Sequence, residues 1–158
     1  MRNILTAVGL ATWVAGVLDL GFALAAAIAG KKPMLGVLTG IANGPFRDPD
    51  LTRGLTGALV GLAVHFALML VIVVVFVAAA RWIAFMTRHP WISGAVYGVI
   101  VYLVMYWIVL PQRWPAAFPH TDPGDIAKAV FVHVAFVGLP IALITARLLR
   151  PAPADAQA

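Results

Sequence analysis

The chain has 158 residues, of which 63% are hydrophobic and 11% charged, and its mean hydropathy is +0.98. Globular chains run at about 45–50% apolar and about 25% charged, so a water-soluble enzyme, a disordered chain and a collagen-like rod are all excluded. There is no cysteine, hence no disulfide, thiolate metal site or thiol nucleophile, and the excess of 11 Lys and Arg over 6 acidic residues suits lipid headgroups.

A helix crosses a bilayer with about 20 apolar residues, and four segments supply them. The first covers about 4–29, is broken only by Asp19, and stops at Lys31-Lys32-Pro33. Its start could be read as a signal peptide with Ala25-Ala26-Ala27 as the cleavage site. The run is too long for an h-region, and the central aspartate argues for a retained span. In the loop that follows, Pro33 opens a short apolar stretch that Asn43-Gly44-Pro45 ends. A short interfacial helix fits it, with a re-entrant segment as the alternative.

The second span covers about 54–80 and closes at Arg81; the third covers about 91–110 and ends at Pro111-Gln112-Arg113. The fourth covers about 126–149, entered through the N-cap sequence Asp122-Pro123-Gly124-Asp125. Trp82 and Trp91 mark one interface, Trp107 and Trp114 the other. Strands are excluded, because the runs are too long and show no period-2 alternation. Residues 1–150 therefore read as one all-α, four-helix transmembrane bundle, and 151–158 (PAPADAQA) as a disordered tail. Arg81 and Arg88 crowd a very short loop, which favours N- and C-termini in the cytoplasm.

An internal echo runs through the spans. Val64-His65-Phe66-Ala67-Leu68 matches Val132-His133-Val134-Ala135-Phe136, and Gly16-Val17 matches Gly98-Val99. Two repeated helical hairpins would produce it.

Ionisable groups inside a bilayer cost several kcal/mol unless paired or hydrated, so each marks a candidate site. From the side that holds the two longer loops, Asp19 lies roughly 16 Å deep, His65 about 20 Å, His133 about 12 Å and Tyr102 roughly 14 Å. One polar group per span thus falls in one slab. Gly57 and Gly61 stack beneath His65, Gly98 shares a face with Tyr102 and Tyr106, and Pro140 strips the Phe136 carbonyl of its helical donor. His89 and His120 sit in loops beside prolines and receive no functional role.

Three functions suit this slab. His65 and His133 could ligate a haem b between spans two and four, with glycines making room for the macrocycle. Asp19, His65 and His133, supported by Tyr102, could form a proton or cation site, although no polar path continues toward the termini. Or the chain is an accessory or structural membrane protein that binds an apolar ligand, the polar slab fixing specificity. Nothing resembles a catalytic motif, so an enzyme is not expected. The bilayer is the expected partner, with a homodimer or larger membrane complex as a further expectation and no nucleic acid.

The stretches Gly16-Val-Leu-Asp-Leu20, Gly61-Leu-Ala-Val-His65-Phe66, His89-Pro-Trp-Ile-Ser-Gly-Ala-Val-Tyr-Gly98, Val132-His133 and Gly138-Leu-Pro140 resemble small uncharacterised four-span inner-membrane proteins of bacteria. The His of span two and the opening of span three are also similar to the YagU-like proteins, linked to acid tolerance. The resemblance implies a bacterial inner membrane and transfers no catalytic residue.

Overall fold

A computed structural model describes residues 2–149. All regular structure among them is helical, and four helices are long and apolar enough to cross a membrane: Asn3–Ala29, Gly54–Trp82, Pro90–Arg113 and Pro123–Leu149. The expected tail at 151–158 lies outside the described residues.

Span one is a single helix, α1 (Arg2–Ala29). The first loop carries α2 (Met34–Ala42) and the one-turn α3 (Pro49–Thr52), which Asp48 caps by accepting from the Asp50 amide at 2.9 Å. Span two is α4 (Gly54–Trp82), followed by the short α5 (Ala84–Arg88). Span three begins as α6 (Pro90–Leu103), widens into a π-helical segment at Val104–Val109 and ends as α7 (Leu110–Arg113). Span four repeats the pattern: α8 (Pro123–Val132), a π segment at His133–Gly138, then α9 (Leu139–Leu149). As the sequence predicts, Asp122 caps α8, accepting from the Gly124 and Asp125 amides at 2.9 and 3.0 Å.

The two π segments share a cause. Proline has no N–H, so Pro111 and Pro140 cannot close the helical bond to the carbonyl four residues back. The chain responds one residue earlier with bonds five residues long, Leu110 N–H to Met105 O and Leu139 N–H to Val134 O. The sequence predicts a disturbance at Pro140 but treats Pro111 only as a terminator; the structure gives both the same effect.

Large apolar side chains cover the outside, among them Leu5 (72% exposed), Leu55 (71%) and Trp82 (89%). Such a belt is tolerable only against lipid, and the chain is a multi-pass membrane protein. The side chains buried between the helices concentrate in the half nearer the termini: Ala11, Ala15, Val73, Phe76, Val77, Ile141 and Ala142. Span one packs on spans two and four, and span three packs on span four. Spans two and three meet through Tyr97, whose hydroxyl donates to the Ile72 carbonyl at 2.6 Å and whose ring sits edge-on to Phe76.

Glycines set the closest approaches. A Cβ on Gly98 would stand 2.6 Å from both the His133 carbonyl oxygen and Val134 Cα, and one on Gly94 would stand 2.8 Å from the Gly138 carbonyl oxygen. Gly16 comes equally close to Phe66, with a Cβ there 2.6 Å from the ring. The sequence echo thus has a spatial counterpart: in each hairpin, the glycine of the first helix meets the Val-His stretch of the second. Gly57 and Gly61 do something else. Their faces are filled by the Thr52 backbone and by the Leu38 carbonyl of α2, which lies against the first turns of α4. They seat the loop helix and do not open space beneath the imidazole.

Small-to-large changes in close packing cost about 1–3 kcal/mol. Gly98→Val is therefore expected to lower thermal stability in detergent by that amount or more. Gly9→Val, at an exposed position where a Cβ meets nothing within 4 Å, is expected to leave it unchanged.

Candidate functional site

The half of the bundle nearer the long loops is not filled. A cavity of about 1200 Å³ lies between the four spans there, closed over in part by α2 and by the loop after span three. Its walls include Phe22, Leu68, Met105, Val109 and Val132, and Arg47, Arg113 and Lys128 stand among its loop-side residues with Asp125. Asp19, His65 and His133 line it as well, and the same three line a pocket of about 60 Å³ that continues inward among Met69, Ile72, Val101 and Val137. Three ionisable groups from three spans therefore converge. The depth difference between the two histidines inferred from helical rise is absorbed by where the helices begin, since α4 starts at Gly54 and α8 at Pro123.

Each imidazole is fixed by a backbone carbonyl, which can only accept. His65, 9% exposed, donates from Nε2 to the Gly16 carbonyl of span one at 3.0 Å. His133 donates from Nδ1 to the Ala129 carbonyl of its own helix at 2.8 Å. In the neutral rings the remaining nitrogens, Nδ1 of His65 and Nε2 of His133, carry lone pairs. The Asp19 carboxylate is half-buried and makes no hydrogen bond or ion pair with the described residues. The floor of the cavity is thus rich in acceptors. No group of three or more His, Cys, Asp or Glu among the described residues is arranged to hold a metal ion.

Tyr102 is placed differently from the expectation. It is 3% exposed, its ring lies 6.1 Å from that of His133, and its buried hydroxyl has no hydrogen-bond partner, yet it is not part of the cavity wall. Tyr106, one helical turn on and within the first π segment, is the tyrosine that faces the cavity. Its ring contacts those of Tyr102 (5.0 Å), His120 (5.2 Å), Phe118 (5.4 Å) and His133 (5.5 Å).

His120, given no role from sequence, lines the same wall, stacks on Phe118 at 4.9 Å, and keeps a buried Nδ1 without a partner. Its loop folds inward over the cavity, helped by Arg113, whose Nε donates to the Asn43 carbonyl at 2.8 Å. The available signal was compositional: Trp114, Phe118 and His120 make an aromatic loop too apolar to be a plain linker. Trp114 itself is only partly exposed, lines the cavity and lies over Gly44, so it closes the site as well as marking an interface.

No family model, curated protein or solved structure matches the chain.

Interhelical hydrogen bonds in membranes are worth about 0.6 kcal/mol on average and up to about 1.7. His65→Phe is expected to lose stability in that range in detergent unfolding, because it removes the tie to Gly16. His133→Phe should lose less, since its bond stays within one helix.

Proposed function

We propose that the chain is a membrane protein that binds an amphipathic small molecule in the loop-side cavity, the Asp19, His65 and His133 floor holding the ligand's polar end. One observation carries this reading: a single space of about 1200 Å³ joins an apolar wall to three converging ionisable groups. That is the make-up of a ligand site, mostly apolar with a few placed polar groups. A purely structural role accounts for it less well. An interhelical clamp would pair the carboxylate, whereas Asp19 is left facing the cavity without a hydrogen bond or ion pair to the described residues. Binding, and not catalysis, is the proposed role.

The haem reading would need His65 to coordinate through Nδ1 or to give up its bond to Gly16, because Nε2 is already engaged. Transport would need a route onward, and the terminus-side half is occupied by Val73, Phe76, Val137 and Ile141. Both fit the geometry less well than binding.

Replacement of Leu68, which lines both the main cavity and its floor pocket, by Trp should block the site. Native mass spectrometry of the gently solubilised protein is expected to show a small-molecule adduct on the unmodified chain and its loss from Leu68→Trp. A haem adduct in the same spectrum would favour the bis-histidine reading.

The proposed setting is a bacterial inner membrane with both termini cytoplasmic, supported by the dense Arg81 and Arg88 pair in the tight turn around α5. Because the chain has no cysteine, single cysteines can report sidedness cleanly. Thr87→Cys is expected to resist an impermeant maleimide applied to intact spheroplasts, and Asp50→Cys to react.

A further inference from the structure

Resting on the cavity reading above, the ligand's polar end can be assigned a chemistry. The hydrogen bonds of both histidines are donated outward to main-chain carbonyls, at 3.0 Å from His65 Nε2 to Gly16 and 2.8 Å from His133 Nδ1 to Ala129. In its neutral form each ring has one lone pair left, and the Asp19 carboxylate of span one adds two accepting oxygens without a hydrogen-bond donor among the described residues. Asp19 is half-buried and opens onto the cavity, so a ligand seated there takes these acceptors out of water, and the complementary one donates and carries positive charge.

We propose that the cavity takes an amphipathic primary amine, bound as its ammonium ion with its three N–H groups directed at Asp19, His65 and His133. Three features narrow the class. The acceptors do not form a metal-holding group, which favours an organic cation over an ion that needs a tight shell. The floor offers acceptors and so calls for N–H groups, which an ammonium head has and a trimethylammonium lacks. No Lys or Arg lines that floor, whereas Arg47, Arg113 and Lys128 outnumber Asp125 at the mouth. A second cationic end is therefore rejected, and the far end of the ligand is neutral or acidic. From Arg113 to Val101 the lining of span three extends over about three helical turns, the reach of a long alkyl chain or a fused-ring body.

The test titrates the full chain, in a non-ionic detergent at pH 7, with dodecylamine, dodecyltrimethylammonium, dodecane-1,12-diamine, dodecanol and dodecanoate, read by native mass spectrometry and calorimetry. Dodecylamine is expected to bind at one per chain and at least tenfold more tightly than the other four. Asp19→Asn, nearly isosteric, should erase that preference while retaining the weaker affinity for dodecanol, which also reports that the variant is folded. Dodecanol or dodecanoate binding as tightly as the amine, or an Asp19→Asn variant that keeps the amine preference, would overturn the amine assignment and leave the cavity reading standing. Failure of all five to bind stoichiometrically, with Leu68→Trp indistinguishable from the unmodified chain, would overturn both.

Discussion

In a bilayer, helices gain little by hiding apolar surface from an apolar solvent, so they adhere where backbones can come close. This bundle depends on that constraint. Gly94 and Gly98 lie against Gly138 and the His133–Val134 backbone, Gly16 lies against Phe66, and Gly57 and Gly61 lie against the first loop. At each of the first two crossings a histidine is carried on the helix that the glycine approaches. Close packing of the hairpins and placement of the imidazoles are one event.

The consequence is a molecule packed at one end and open at the other. Nearer the termini, Ala, Val, Phe and Ile interlock around Val73 and Ile141. Toward the loops, α2 packs on the first turns of span two beside the cavity, and spans two and three are joined to each other through Tyr97 in the packed half. The space left in the other half is where Asp19, His65 and His133 meet. An ionisable group at that depth is tolerable because it faces a cavity and not acyl chains.

The prolines refine the wall. Each shifts the helix before it into a wider turn, and these turns hold Tyr106 on span three and His133 on span four, whose rings then meet at 5.5 Å. Wide turns of this kind recur at functional sites because they re-aim side chains that a regular helix would direct elsewhere. This explains why Tyr102, placed in the slab by helical rise alone, is buried behind His133 while Tyr106 reaches the cavity. The rise argument assumes 1.5 Å per residue and 100° of turn, and a π segment breaks both.

By itself, the sequence determined the four spans, the capping of span four by Asp122 and the three ionisable residues of one slab. Each follows from local chemistry: run length against bilayer thickness, side-chain oxygen against free amides, and the cost of charge in lipid. Only the tertiary structure decided what the glycines touch, which tyrosine faces inward, and that His120 and Trp114 fold back over the cavity. It also decided which nitrogen of each histidine stays free. Those are properties of pairs of segments distant along the chain, and a one-dimensional pattern holds no information on which carbonyl of a neighbouring helix will stand within 3.0 Å of an imidazole.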